Sequence, residues 1–332
     1  MPPWGRSIGG ASGVRAGSGS HESGFVAGRN ACGGAPRLSD GPVARGKQGL
    51  VWRLETTHGR WAVKVPLETC SEEEVRASTA FHEAAHAAGV PTPQVIRTID
   101  GTVFAPLDAG QARVYEWVDL LPPDATLDPG LVGAVVADIH QVVSAEPDEN
   151  EVDPWFSHPV GADRWDRLVE QLTEACAPFA SRLADLRDEL VALDAWIEPP
   201  HQLRTCHRDL WADNLLSTGD DGVCVIDWDD SGPADPSHEL GCVLFEFARS
   251  DPGRARDLVT SYEQAGGPAR VTRREHFSML IAQLGHITEI AASDWLEPNP
   301  RSPSRADSAA WIAEVLDEPH TRSKLLALLE AL

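Results

Sequence analysis

Polar and apolar residues alternate in the first third of the chain with the period of two that is typical of half-buried strands. The alternation predicts strands over residues 38–44, 49–55 and 61–65, with a His-Gly turn between the last two. Residues 71–88 change to helical spacing, after a serine N-cap and with three glutamates in the first turn, where carboxylates complement the helix dipole. Two further strands are predicted within residues 94–119, around an Asp-Gly turn.

Most of the remaining chain has helical spacing, in which apolar residues recur every three or four positions. We predict helices over residues 131–143, 161–197 (two helices), 237–248, 253–265, 273–296 and 306–329. Residues 1–36 differ from the rest, because Gly, Ser and Arg dominate them and their few apolar residues have no period. Such a segment lacks the apolar surface for a packed core, so we expect a disordered tail.

The composition limits the possible functions. The chain has 332 residues, 42% of them hydrophobic, which is enough for a two-lobed enzyme. With 28 Lys plus Arg against 51 Asp plus Glu, the net charge of −23 opposes binding to nucleic acid or to an anionic membrane. A cationic substrate would be favoured, although acidity that serves solubility alone is the more common reason for such a charge.

Cysteine usage and hydropathy exclude further classes. The six cysteines form no Cys-x-x-Cys pair and no zinc-finger spacing, so we expect reduced thiols and no structural zinc. No segment reaches the roughly 20 apolar residues that span a bilayer, and the N-terminus lacks the apolar core of a secretory signal. The expected location is the cytoplasm.

The most informative stretch is residues 206–216, because it contains His207, Asp209 and Asn214 in the spacing His-x-Asp-x-x-x-x-Asn. In phosphoryl transfer a carboxylate must meet the acceptor hydroxyl, while an oxygen ligand five residues later reaches a phosphate-bound metal. A short apolar strand then delivers Asp227 at its end, and Mg²⁺ prefers one or two carboxylates together with phosphate oxygens. We therefore predict Asp209 as the catalytic base and Asn214 and Asp227 as Mg²⁺ ligands.

These motifs resemble those of the aminoglycoside phosphotransferase and small-molecule kinase family, which is distantly related in fold to the eukaryotic protein kinases. The matching segments, in order, are Ala62-Val63-Lys64-Val65, Gly89-Val90-Pro91-Thr92-Pro93, Tyr115-Glu116-Trp117-Val118-Asp119, the 206–216 loop, and Val225 to Pro236 with Glu239-Leu240. The resemblance spans residues 38 to 250 and implies ATP-dependent phosphorylation of a hydroxyl on a small molecule.

The resemblance also implies the fold class. It is α+β, with two lobes arranged as in protein kinases. A small antiparallel sheet and one helix would form the N-terminal nucleotide-binding lobe, residues 37–118. A larger, mainly helical C-terminal lobe, residues 119–332, would carry the catalytic and substrate-binding residues.

Nucleotide-binding roles follow from the same resemblance. Lys64 would hold the α- and β-phosphates of ATP, which agrees with the need of an ammonium on a buried strand for an anionic partner. Related kinases pair this lysine with a helix glutamate, for which Glu83 is our candidate and Glu74 the alternative. Gly46 and Gly49 would bracket the loop over the phosphates, although an ordinary hairpin has the same appearance.

Backbone contacts and supporting residues are implied as well. The Glu116 carbonyl and the Val118 N–H would contact adenine. His207 is expected to brace the catalytic loop through hydrogen bonds. Asp235 matches a family position that also braces this loop, and a turn-capping carboxylate explains it equally well. Arg208 receives no role.

The acceptor is less well defined by the sequence. An aminoglycoside or similar cationic antibiotic suits the acidic charge, and Glu289, Asp294 and Glu297 are candidate lining residues, although an exposed helix face explains them too. A metabolite such as an amino alcohol or sugar, or a macrolide, is the alternative. A non-catalytic nucleotide-binding protein is less favoured. GTP in place of ATP, and a monomer or a homodimer, stay open.

Overall fold

A computed structural model describes residues 36–45, 49–67, 72–107, 110–144, 152–219, 222–297 and 304–332. The predicted tail, residues 1–36, lies almost entirely outside the described residues, and so does Gly46.

The N-terminal part is an antiparallel sheet with one helix beside it. Its elements are β1 Arg37–Leu38, β2 Ala44–Arg45, β3 Gly49–Thr56, β4 Gly59–Pro66, α1 Glu72–Ala88, β5 Val95–Ile96, β6 Ala105–Leu107 and β7 Gly110–Glu116. The strand order is β1-β3-β4-β7-β5, with β2 paired to β3 and β6 paired to β7. Lys64 on β4 therefore lies beside Arg113 on β7.

Two strand predictions in this part need correction. The predicted strand over residues 38–44 is two short strands, because Gly41-Pro42 interrupts it and proline cannot donate to a ladder. The described residues between 94 and 119 form three strands instead of two. The helix prediction over residues 71–88 agrees with α1 over the described residues 72–88, and Gly89 follows the helix with φ 94°.

The C-terminal part consists mainly of helices. They are α2 Pro129–His140, α3 Ala162–Glu174, α4 Ala180–Asp194, α5 Pro236–Ala248, α6 Pro252–Gln264, α7 Ser278–Leu296, α8 Arg305–Asp317 and α9 Arg322–Ala331. Four short strands, β8 Arg204–Cys206, β9 Leu215–Ser217, β10 Val223–Val225 and β11 Gly232–Ala234, pair as β8 with β11 and β9 with β10. The α+β class with a small sheet and a larger helical part is confirmed.

The helices α2, α5, α6 and α7 surround the main core, in which Val136, Ile139 and Leu244 have no solvent exposure. Helix α2 approaches α6 closely at Gly133, where an added Cβ would lie 2.2 Å from the carbonyl oxygen of Leu258. This core supports the strands that carry the polar motifs. Among the described residues, no helix is long and apolar enough to cross a membrane.

Candidate active site

The catalytic loop, predicted over residues 206–216, joins β8 to β9, and hydrogen bonds between its own residues hold its two ends together. Asn214 Nδ2 donates to the backbone carbonyl of Asp209 at 2.9 Å and to its carboxylate at 2.6 Å. The loop therefore ties both ends of the predicted spacing together. Because the Asn214 amide nitrogen is used in this way, its oxygen is the atom that can bind a metal.

Two buried side chains hold the backbone of this loop from below. Glu239 on α5 accepts the Arg208 N–H with one carboxylate oxygen and contacts His140 Nε2 at 2.7 Å with the other. Gln283 on α7 donates to the Arg208 carbonyl at 2.8 Å. Burial would raise the pKa of Glu239, but its hydrogen bonds with His140 and the Arg208 N–H and its attraction to His140 and His207 together lower the pKa. The backbone at Arg208 is thus held on both sides, by the Glu239 carboxylate and the Gln283 amide.

His207 and Glu246 add contacts on two sides of the loop. His207 is fully buried, its Nε2 lies 3.1 Å from the Ile226 carbonyl, and its Nδ1 accepts the Asp209 N–H at 3.3 Å. These contacts join the loop to the residue before Asp227, and the bracing role of His207 stays a prediction. Glu246 accepts the Ala212 N–H at 3.2 Å, and burial raises the pKa of this carboxyl to about 7.

Asp227 follows β10 in a left-handed conformation, with φ 59° and ψ 62°. An aspartate in this region is uncommon and marks a constrained position. Its segment is joined to the catalytic loop, because the Ile226 N–H donates to the Asn214 carbonyl at 2.9 Å. The two predicted metal ligands, Asn214 and Asp227, therefore lie on segments that a backbone hydrogen bond holds together.

Lys64 reaches these segments from the sheet. Its Nζ lies 2.6 Å from Asp227 Oδ1 and 2.7 Å from Asp229 Oδ2. Asp229 in turn binds both terminal nitrogens of the Arg113 guanidinium, which is 3% exposed. Burial alone would lower the pKa of Lys64, but the charges of Asp227 and Asp229 raise it above its usual value.

The predicted partner of Lys64 is wrong. Glu83 is half-buried and binds Arg97 through both carboxylate oxygens at 2.7 Å. The alternative, Glu74, is exposed in the first turn of α1. The carboxylates on Lys64 come instead from the segment after β10.

The other nucleotide-binding predictions have different outcomes. Gly49 begins β3 and is buried against Lys64, since an added Cβ would lie 3.4 Å from two carbons of that side chain and 3.0 Å from the Val65 carbonyl oxygen. Glu116 ends β7 and its N–H donates to the Gln94 carbonyl at 2.9 Å. The adenine contacts of the Glu116 carbonyl and the Val118 N–H stay predictions.

Asp235 caps α5 by accepting the Ser237 N–H at 2.9 Å. Its second oxygen accepts the N–H groups of His201 and Gln202, at 2.9 and 3.1 Å. It therefore supports the chain ahead of β8, while the backbone of the catalytic loop itself is held by Glu239.

Sequence reasoning missed Asp229, Arg113 and Glu239 as members of this site. Arg113 carries the same signal as Lys64, because it is a cation on a predicted apolar strand and needs an anionic partner. Glu239 and Glu246 are seven residues apart in the largely apolar α5, which places two carboxylates on one buried face. Asp229 has no comparable signal, since acidic residues are ordinary in a turn.

A sequence profile of the Phosphotransferase enzyme family, APH, matches residues 41–276, more than two thirds of the chain. The chain belongs to this family. It is a phosphotransferase that acts on a hydroxyl group of a small molecule, and the predicted family and reaction class are confirmed. No curated protein matches the chain in sequence.

Solved structures show the fold of this phosphotransferase. Spectinomycin phosphotransferase, APH(9)-Ia, in complex with ADP and spectinomycin, has a TM-score of 0.65 at 14% identity over 90% of this chain and 93% of that chain. A choline/ethanolamine kinase family protein from Mesorhizobium loti has a TM-score of 0.50 at 19% identity over 86% and 91%. Amicoumacin kinase hAmiN, with AMP-PNP, Ca²⁺ and Ami, has a TM-score of 0.53 at 16% identity over 82% and 86%.

The phosphotransferase has a donor set that fits a divalent metal. The Asp227 carboxylate and the Asn214 amide oxygen are hard oxygen ligands, and the Asp227 side chain is 36% exposed and so open to the cleft. Among the residues predicted to line the acceptor site, Glu289 on α7 is bound by the Arg164 guanidinium and by Ser293. Its charge is therefore balanced within the protein, which weakens the expectation that it receives a cationic substrate.

Proposed function

We propose that this phosphotransferase transfers the γ-phosphoryl group of ATP, with Mg²⁺, to a hydroxyl of an aminoglycoside or similar cationic antibiotic. The observation that carries the proposal is the assembly of Lys64, Asp227 and the loop pair Asp209 and Asn214, which three separate parts of the sequence bring together. These are the groups that phosphoryl transfer uses for the acceptor hydroxyl, the metal and the phosphates.

Each residue has a defined task in this proposal. Asp209 orients the acceptor hydroxyl and accepts its proton late in the transfer, because a hydroxyl is still protonated at neutral pH. Asn214 and Asp227 would hold Mg²⁺, which when bound neutralises charge that develops on the phosphates. Lys64 would move its hydrogen bond from Asp227 to the α- and β-phosphates. The nucleotides in the ADP- and AMP-PNP-bound relatives support ATP as the donor.

Charge supports a cationic acceptor. The net charge of −23 would raise the local concentration of a cation and would oppose an anionic acceptor. Spectinomycin phosphotransferase, the relative with a TM-score of 0.65, is crystallised with spectinomycin. Because that likeness is at 14% identity, it supports the class of acceptor and does not identify the molecule.

An amino alcohol is the second candidate acceptor. The observation that favours it is the likeness to the choline/ethanolamine kinase family protein from Mesorhizobium loti. An amino alcohol has the same two features, a cationic nitrogen and a free hydroxyl, in a much smaller molecule.

The deciding experiment incubates the protein with Mg-ATP or Mg-GTP and a panel of aminoglycosides, other cationic antibiotics, macrolides, amino alcohols and sugars. Mass spectrometry then detects the addition of one phosphoryl group. We expect addition to a cationic antibiotic. Transfer only to amino alcohols would favour the second candidate, and transfer only to neutral acceptors would contradict both.

Asp209→Asn tests the chemistry with the identified acceptor. The change removes the proton acceptor but keeps the size of the side chain, so we expect kcat to fall by about 10²- to 10⁴-fold. Nucleotide binding should stay within about threefold of wild type, because Asp209 faces the acceptor. Asp188→Asn, an exposed aspartate on α4, is the control. Normal turnover in Asp209→Asn would refute the assignment.

A further inference from the structure

Two cations lie side by side on the sheet, and both contact the segment that carries Asp227 and Asp229. Lys64 on β4 and Arg113 on β7 are direct cross-strand partners. Like charges in this position repel each other unless an anion lies between them. Asp229 is that anion, since one of its oxygens accepts from both Lys64 and Arg113 and the other accepts from Arg113.

The helix beside the sheet provides no substitute for Asp229. The buried side chains of α1 are Val75, Ser78, Thr79, Phe81, His82 and Ala85, and none of them is acidic. Glu83, the partner predicted from the sequence, is bound to Arg97, and the alternative Glu74 is exposed in the first turn. The face of α1 that packs against the rest of the protein therefore carries no carboxylate for Lys64.

Asp227 and Asp229 differ in what they can do for Lys64. Asp227 is 36% exposed and would bind the metal, so its contact with Lys64 would be exchanged when Mg-ATP enters. Asp229 is 15% exposed and is clamped by a guanidinium that is itself 3% exposed. Burial would raise the pKa of Asp229, but the Arg113 hydrogen bonds and the Lys64 charge lower it well below its usual range.

We propose that Asp229 and Arg113 together replace the helix glutamate that a nucleotide-binding lysine would otherwise require. Asp229 holds the Lys64 ammonium at the phosphate position, and Arg113 holds Asp229. Both are positioning residues, and neither touches the acceptor. The inference rests on the proposed function, because it assumes that Lys64 binds the nucleotide.

The test is the dissociation constant of Mg-ATP, measured by calorimetry on the full chain at a temperature below each variant's melting transition. We expect Asp229→Asn and Arg113→Met each to weaken binding by about tenfold or more, since each removes one charged hydrogen-bonded link. The double variant should bind about as weakly as the weaker single variant, because both changes break the same connection. Glu83→Gln should bind like wild type.

Several results would overturn the proposal. Binding within about twofold of wild type in Arg113→Met would do so. So would a loss in Glu83→Gln as large as that in Asp229→Asn. If Asp229 were instead a direct metal ligand, Asp229→Asn would shift the Mg²⁺ dependence of nucleotide binding. Arg113→Met would then leave Mg-ATP binding unchanged, which would also overturn the proposal.

Two controls separate failure of this inference from other failures. Arg113→Lys keeps the charge without the two-pronged geometry, so it should fold and bind with intermediate affinity. Wild-type affinity in this variant and in Arg113→Met would refute the positioning role. If wild-type protein itself bound no Mg-nucleotide, the proposed function would fail, and the inference with it.

Discussion

Arg208 connects the catalytic loop to the segment that carries Asp227 and Asp229. Its backbone is left-handed, with φ 66°, and its Nε donates to the Asp230 carbonyl. The guanidinium carbon lies 4.3 Å from the centre of the Phe156 ring. The sequence left this residue without a role, yet its side chain fixes one polar segment against the other.

Gly232 makes this position of Arg208 possible, and Gly232→Ala tests it. An added Cβ would lie 2.6 Å from one guanidinium nitrogen and 2.7 Å from its carbon, so the buried side chain must move. We expect the free energy of unfolding to fall by about 1–3 kcal/mol. Denaturant unfolding measures it. In an Arg208→Ala background the same change should cost less than about 0.5 kcal/mol, and equal losses in both backgrounds would contradict this explanation.

For single residues, sequence spacing predicted site residues that lie close together in the chain and missed partners that are far apart in it. Asp209 and Asn214 are five positions apart, so their hydrogen bond follows from one loop. Lys64 meets Asp227 and Asp229 across 163 and 165 positions of chain. No spacing rule distinguishes such partners from Glu83, which is much closer in sequence but faces Arg97.

Helices were predicted well where a capping residue and a helix-ending residue bound the apolar pattern. The prediction over residues 237–248 agrees with α5, which Asp235 caps. The prediction of one helix over residues 306–329 is wrong, because a turn around Pro319 interrupts the helix between α8 and α9. Apolar spacing continues through this break, so periodicity alone did not show it.

Packing between elements depends on Gly133, which lets α2 approach the backbone of α6. Gly133→Ala would place a Cβ 2.2 Å from the Leu258 carbonyl oxygen, and a backbone atom cannot move aside without moving the helix. We expect the free energy of unfolding to fall by about 1–3 kcal/mol in denaturant titrations, despite the better helix propensity of alanine.

Gly285→Ala on α7 is the matched control for this prediction. It is also a buried helix glycine, but the atoms nearest to an added Cβ belong to side chains, with Val160 Cγ2 at 3.3 Å. The change should alter stability by less than about 1 kcal/mol. A similar loss in both variants would mean that the α2–α6 approach has no special importance.

Over the whole molecule, the sequence predicted two structural parts and the reaction, but not how the parts are held together. The sheet and the helical part meet at Lys64, Arg113 and Asp229, through charges that are mostly buried. Hydrophobic periodicity carries no information on such contacts. The proposed boundary between residues 118 and 119 stays a prediction, since the polar link across the cleft involves residues far from it.

Buried histidines should make the protein sensitive to acid. Burial lowers the pKa of His82, His238 and His320 to about 4, below the ordinary value of 6.5. The unfolded chain therefore takes up these protons first as the pH falls. The stability that the neutral histidines provide is present above pH 6.5 and is lost as the pH falls towards 4.

His320→Leu isolates one of these contributions. His320 is 1% exposed in the turn between α8 and α9, near Lys324 and Glu189, and neither ring nitrogen has a hydrogen-bond partner among the described residues. Leucine removes the titration without removing a hydrogen bond, so the loss of stability between pH 7.5 and 4.5 should shrink by about 2 kcal/mol. Denaturant unfolding at both pH values measures it, with the exposed His58→Gln as control. An unchanged pH dependence would show that His320 does not couple protonation to folding.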